Sequence, residues 1–382
     1  MANKAFKFRI YPNAKQEELF QKTVVCARFV YNQMLLRQQE NYKDGRKYMS
    51  KIAANTYCNQ VMKNEYPWLR EVDKFALTNS IFHLDAAFRR FFQKAGGYPK
   101  FKSKHCSRQS YTTNYTNGNI KVLEACGQIR LPKLGKVRAR IHRAIPEKCR
   151  IKSATVSFTS DRRFYVSVLV EYDAPCTGMQ LSSDIKARSV IGLDYKSDGL
   201  YTDSEGNTIG SPKYYRRAQK KLNKAQRRLS RKCGSRKGEE KSRNYLRQKQ
   251  KVARMHAHIA NQRKDFLHKT STETANRYDV VCVEDLNMKP MANRGFGNGK
   301  ATMDNGYGMF LNYLEYKLKD RGKVLIKVDK WYPSSQICSC CGKQKKIPLT
   351  ERIYTCECGN QMDRDYNAAR NIREEGLRLL VS

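Results

Sequence analysis

Val190-Ile191-Gly192-Leu193-Asp194-Tyr195 is an apolar run that breaks into a carboxylate. Such a run predicts a buried strand, and an acid at its end costs several kcal/mol if desolvated without a partner. The pattern returns in Val280-Val281-Cys282-Val283-Glu284-Asp285-Leu286. A third acid, Asp365, opens the last helix within Asp363-Arg364-Asp365-Tyr366-Asn367-Ala368-Ala369. Alone, Asp363 or Asp365 reads as a helix N-cap. Three acids at the ends of three core elements ask for a common cause. Phosphodiester hydrolysis by two magnesium ions about 3.5–4 Å apart needs hard oxygen ligands converging from separate elements. Asp194, Glu284 and Asp365 are the candidate catalytic residues and Mg2+ ligands.

The elements around these acids fix the fold expectation. After strand Val190–Tyr195 come a strand near Gly199–Thr202, a turn at Ser204-Glu205-Gly206-Asn207 and a short third strand. Two long basic helices follow, divided at Cys233-Gly234-Ser235. Tyr215, Ala218, Leu222, Ala225 and Leu229 in the first, and Tyr245, Val252, Ile259 and Phe266 in the second, predict a hairpin with one apolar seam. Strand Val280–Glu284, a Gly-rich loop from Asn293 to Gly308, a helix from about Met309 to Arg321, strand Val324–Val328, a cysteine cluster and a helix from Asn367 complete the chain. Three strands, helices, strand, helix, strand, helix is the order of an RNase H-like mixed sheet.

Toward the amino terminus, residues 4–11 alternate basic and apolar groups, the period of a half-buried strand, and a helical block runs to about residue 94. From about 106 to 180, short alternating segments (129–131, 137–141 and 164–170) predict a small barrel with Arg and Lys outward, and 181–188 reads as a linker. The fold class is α+β multidomain.

Charge narrows the partner. The 382 residues carry 75 Lys and Arg against 35 Asp and Glu, a formal charge of +40. A compact fold with that surplus repels itself unless a polyanion screens it. A small sequence reader neutralises roughly 6–10 phosphates, whereas a ~20-bp duplex carries about 40, so the charge fits a chain wrapped around a sizeable nucleic acid. No basic amphipathic helix with a bulky apolar face and no long apolar segment points to a membrane. Without a signal-like apolar region at Met1–Lys7, the expected location is the cytoplasm of a prokaryotic cell, associated with the nucleoid.

Of 13 cysteines, eight are scattered and read as small buried hydrophobes, while five crowd between Cys338 and Cys358. Cys338-x-x-Cys341-Gly342 and Cys356-x-Cys358-Gly359 offer four thiolates from two short turns, the donor set of one structural Zn2+ with no open position. Cys340 is a fifth thiol able to substitute. Gly295-x-Gly297-x-Gly299-Lys300 fails the phosphate-loop spacing, because Arg294 stands five positions before Gly299 and Ala301 replaces Ser or Thr. Its place after the Glu284 strand suggests a mobile lid instead. His256 and His258, two apart on a helix, share no face and read as surface residues.

Gly192-Leu193-Asp194, Val283-Glu284-Asp285-Leu286 and Asp363–Ala369 resemble the three RuvC motifs of the TnpB family, insertion-sequence relatives of type V CRISPR effectors. Lys4–Pro12, Cys26–Asn32, Pro99–Lys102 and Leu131–Gly135 are similar to that family too. The resemblance assigns the third ligand to Asp365, with Asp363 the second choice. It implies an RNA-guided DNA endonuclease, with a guide RNA from the transposon end and double-stranded DNA cut beside a short motif by a monomer in a ribonucleoprotein. The family has Cys-x-x-Cys twice, whereas the second pair here is Cys-x-Cys. The implied domains are a wedge-barrel strand (1–20), a helical recognition domain (21–105), the wedge barrel (106–182), a RuvC-like nuclease (183–334, hairpin 211–278), a zinc knuckle (335–361) and the nuclease's last part (362–382). Alternatives are a catalytically silent RNA-guided repressor, which loss of an acid would signal, and an RNA-independent junction resolvase, which would purify without a discrete RNA.

Overall fold

A computed structural model describes residues 2–104, 108–173, 189–233, 241–293, 298–348 and 351–381, in two compact units, Met1–Pro175 and Cys176–Ser382. The expected linker 181–188, the Gly234-Ser235 break, Gly295 and Gly297 lie outside the described residues. No helix among the described residues is long and apolar enough to cross a membrane.

In the first unit, strand β1 (Ala2–Tyr11) runs into helix α1 (Ala14–Lys43). Asn13 starts the helix: its side chain accepts the Gln16 N–H, and the Gln16 side chain accepts the Asn13 N–H. The Gln16 amide also donates to the Leu134 and Lys136 carbonyls at 3.0 and 2.9 Å, locking the cap to a strand turn. Helices α2 (Lys51–Tyr57), α3 (Lys63–Glu65) and α4 (Lys74–Phe92) follow. Then come β2 (Arg108–Asn114), β3 (Lys121–Leu123), β4 (Gln128–Leu131), β5 (Gly135–Arg140), β6 (Arg150–Thr159) and β7 (Phe164–Tyr172). The antiparallel sheet runs β2-β6-β7-β1-β5-β4-β3. It has two end strands where the alternation predicts a barrel, and Tyr111 of β2 and Val122 of β3, at opposite ends, belong to one core. Helix α1 serves two cores, with Phe20 and Val24 on the sheet and Val30, Met34 and Leu35 against Leu77, Ile81 and Leu84 of α4.

The second unit is built on β8 (Val190–Tyr195), β9 (Tyr201–Asp203), β10 (Thr208–Ile209), β11 (Val280–Glu284) and β12 (Val324–Val328). The sheet order is β10-β9-β8-β11-β12, with the first three strands antiparallel and β8, β11 and β12 parallel. Helices α5 (Tyr214–Arg231) and α6 (Arg243–Arg277) form the expected hairpin, sealed by Leu222, Ala225, Val252 and Ile259. The seam does not hold to the end: Phe266 packs into the core of the mixed sheet, and Tyr245 joins neither cluster. A straight helix drifts about 20° per heptad against a seven-residue repeat, so over 35 residues the apolar face of α6 turns from α5 toward the sheet.

The segment expected as a Gly-rich loop is largely ordered. Beyond α7 (Met288–Met291), it forms α8 (Gly299–Asn305) and leads directly into α9 (Tyr307–Lys319). Buried Asp304 holds α8 in place. Its carboxylate accepts the backbone N–H groups of Tyr215 and Arg216 and pairs with Arg216 and Arg263, at 3.4 and 3.1 Å. Strands β13 (Ile353–Thr355) and β14 (Gln361–Asp363) form a small hairpin, and α10 spans Arg364–Val381, starting three residues before the expected Asn367.

Candidate active site

Parallel register brings the first two acids together. Leu193 of β8 pairs with Val283 of β11, so Asp194 and Glu284 follow side by side where the strands end. Helix α10 lies so close over β8 that a Cβ on Gly192 would stand 2.1 Å from the Ala369 carbonyl oxygen and 2.7 Å from the Arg373 nitrogen. A Cβ on Gly376 would meet the Cys282 sulfur at 2.2 Å. These two contacts, with buried Ala368 and Ala369, bring the first turn of α10, and Asp365 with it, to the strand ends. Asp363 has a different task. Its Oδ1 accepts the N–H groups of Asp365 and Tyr366 at 2.9 and 3.1 Å, the bonds of an N-cap. Asp365 instead pairs with Lys196 Nζ at 3.1 Å.

The electrostatics show excess negative charge. Burial, then the charges of Glu284 and Asp365, push the Asp194 carboxyl well above the usual range, and Arg364 and Lys196 only partly offset this. Burial also raises Glu284, against a hydrogen bond from Ser334 Oγ at 2.5 Å. The three acids do not crowd as tightly as the thiols described below: among the described residues only the cysteines bring their ligand atoms within 4.8 Å of one another. Like charges repel, and Asp365 is paired with Lys196. Tyr307 lies within the field of Asp194 and Glu284, and its buried hydroxyl has no hydrogen-bond partner among the described residues.

Cys338, Cys341, Cys356 and Cys358 form the tight group, and Cys340 stands outside it. Sulfur–sulfur distances are 3.6 Å for Cys338–Cys358 and 3.5 Å for Cys341–Cys356. Burial pushes the Cys338 thiol up, but the N–H groups of Cys341 and Cys340 and the Asn360 amide outweigh it and bring the thiol down to about 6. The shorter second pair therefore does not prevent four sulfurs from converging. His256 and His258 are exposed, as the sequence suggests.

Several residues of the site escape sequence reading. Ser334, Lys196 and Asn371 carry no local signature, and Asn367, although inside the third motif, gives no hint of its partners. Gly192 does carry one, since an isolated glycine in a strand marks a close backbone approach.

Fold and site define a multidomain α+β protein in which converging carboxylates sit beside a four-thiol cluster. Residues 167–295 match the family described as "Probable transposase", residues 307–372 "Cas12f1-like, TNB domain", and residues 1–47 "Helix-turn-helix domain". The last segment is here one strand and one long helix, β1 and α1. A "Putative RNA-guided DNA endonuclease" of Streptomyces pristinaespiralis is 35% identical over 380 residues, covering 98% of this chain and 89% of that one. "Putative RNA-guided DNA endonuclease InsQ" of Escherichia coli (strain K12) is 31% identical over 396 residues, covering 99% and 93%. The solved "Cryo-EM structure of the Cas12f1-sgRNA-target DNA complex" shares the fold, with a TM-score of 0.57 at 14% identity over 97% of this chain and 98% of that one. The chain belongs to the TnpB family.

Proposed function

We propose that this chain is an RNA-guided DNA endonuclease that cleaves double-stranded DNA beside a short target-adjacent motif, with Asp194, Glu284 and Asp365 as its catalytic carboxylates. The observation that carries the reading is the meeting of these acids, distant in sequence, at one end of a mixed sheet of RNase H-like, RuvC-type strand order. Relatives named as RNA-guided DNA endonucleases along nearly the whole chain support it.

The donor set fits hard divalent cations: three carboxylates, with Asp194 and Glu284 raised by burial and Asp365 paired to Lys196. Bound there, two Mg2+ would supply Lewis acidity for water activation and for stabilising the leaving oxygen. Asp194, the acid most burdened by its neighbours, gains most from a cation. Lys196 holds Asp365 at the site until then. The four thiols fit one structural Zn2+, with Asn360 Nδ2 donating to Cys338 Sγ at 3.3 Å. The exposed Lys and Arg of α5, among them Lys220, Lys224, Arg227 and Arg228, suit the phosphates of a guide RNA and its target. Under this reading the amino-terminal helices and seven-stranded sheet serve as recognition and wedge domains.

Asp194→Ala tests the assignment. Cleavage by the purified chain with its guide RNA should vanish while guided DNA binding stays near the parent's. Equal cutting by the variant would end the proposal.

A further inference from the structure

Glu284 is not held by its strand alone. Its Oε1 accepts the Ser334 hydroxyl at 2.5 Å, and Ser334 is only 5% exposed. Ser334 is fixed in turn. Its N–H donates to the Tyr332 carbonyl at 2.8 Å, and its own carbonyl accepts Asn371 Nδ2 at 2.7 Å. That same nitrogen donates to the Ile337 carbonyl at 2.6 Å, which also accepts Asn367 Nδ2 at 2.7 Å. Asn367 Oδ1 then accepts the Ser339 N–H at 3.0 Å, inside the first cysteine turn. Asn367 and Asn371 stand one turn apart on α10, the helix that brings Asp365, and both are buried. Buried amides have no water to exchange with, so these bonds fix a single geometry.

We propose that Ser334 is a positioning residue that orients the Glu284 carboxylate for a divalent cation, with Asn367 and Asn371 carrying the constraint from the cysteine turn. The inference rests on the nuclease reading. A glutamate at the end of a strand keeps several rotatable bonds, and a single firm hydrogen bond removes most of that freedom. Ser334 is also a neutral donor. Lys196 neutralises the acid it touches, whereas a hydroxyl orients Glu284 and leaves its full charge for the cation. Outer partners that orient a metal ligand typically govern affinity by about 10–100-fold.

The test is Mn2+ uptake by the purified full-length chain, followed by electron paramagnetic resonance of the free ion, for the parent, Ser334→Ala and Ser334→Thr. Ser334→Ala should weaken Mn2+ binding by about tenfold or more. Ser334→Thr, which keeps the hydroxyl, should restore most of it, and zinc content should match the parent's in both variants. Parent-like affinity in Ser334→Ala overturns the inference. So does an equal loss in both variants, or loss of zinc in Ser334→Ala, since either makes the residue a packing element. A parent that takes up no Mn2+ sinks the nuclease reading and this inference with it; a parent that binds beside an unaffected Ser334→Ala sinks only the inference.

Discussion

The four thiols lie between residues 338 and 358 and converge through two tight turns and a hairpin, whereas the three carboxylates are spread from 194 to 365 and meet only because a sheet and a helix are packed. In each thiol turn a glycine takes the left-handed conformation, Gly342 at φ 75° and Gly359 at φ 86°, closing back onto Cys338 and Cys356. The turns and hairpin that bring the sulfurs together all lie within residues 338–363. The acids depend instead on strand register and on two glycines that let α10 touch the strands. A local site is built by its turns and is expected to be stabilised by its ion; a dispersed site is built by the core, and its crowded charges work against the fold.

The largest effect should come from Gly192→Ala. The new methyl would drive into the backbone of α10 at Ala369 and Arg373, which no rotamer change relieves. Overpacking of this kind costs about 1–3 kcal/mol, occasionally more. The helix must lift, taking Asp365 from the strand ends. We expect cleavage to fall at least about 100-fold, as misplacement of catalytic groups by roughly 1 Å can do. Zinc content, measured by metal analysis, should stay at one equivalent, because the thiol turns assemble on their own. Simultaneous loss of zinc would show that the cluster is not local after all.

Cys341→Ser approaches the comparison from the other side and should do less to the chemistry. Zinc should be lost or bound far more weakly, while cleavage drops by about tenfold, the scale for disturbing a partner of a metal ligand. The path is the Asn367–Asn371 clamp, which ties the cysteine turn to Ser334 and so to Glu284. Abolished cutting would make the cluster integral to the acid site, and unchanged cutting would remove the link.

The same asymmetry explains what was legible beforehand. The thiol cluster could be read from spacing because its geometry is a property of one short segment. The strands bearing Asp194 and Glu284 were legible because buried strands are continuous apolar runs. The choice of Asp365 over Asp363 came from the family resemblance alone, since both open the same helix turn; capping by Asp363 appears only in three dimensions. Lys196 and Ser334 look like ordinary loop polar residues, and their partners lie far off in sequence. The 293–308 segment misleads because its glycines suggest a loop, while Asp304, bonded to two distant arginines, makes part of it helical.

Asn371→Ala gives a smaller effect on stability than on precision. It deprives the buried Ser334 carbonyl of its Asn371 donor, at about 1–3 kcal/mol, while the Ile337 carbonyl keeps its bond from Asn367. Thermal unfolding should register that loss, and the metal half-saturation of cleavage should rise in parallel with Ser334→Ala. A destabilised variant with parent-like metal dependence would confine the clamp to structure.

The two sites should also differ in the sign of their response to pH, the subtlest of these effects. In metal-free protein, burial and the charges of Glu284 and Asp365 make Asp194 hold its proton more tightly folded than unfolded. From the ordinary carboxylate value of about 4 upward, the folded chain therefore binds more protons than the unfolded one, and this contribution to stability falls as pH rises. Cys338 behaves oppositely. With its thiol at about 6 against an ordinary value of about 8.5, the unfolded chain binds more protons between those limits, so its contribution grows as pH rises through that window. Melting temperatures across pH should thus show Asp194→Asn pulling ahead of the parent as pH increases from about 4, and Cys338→Ser falling behind it from about 6 to 8.5. Added Mg2+ should close the first gap, because the cation takes the place of the missing proton. Parallel melting curves for the parent and Asp194→Asn would mean that the carboxylates do not burden one another, and the contrast between a turn-built and a core-built site would lose its electrostatic half.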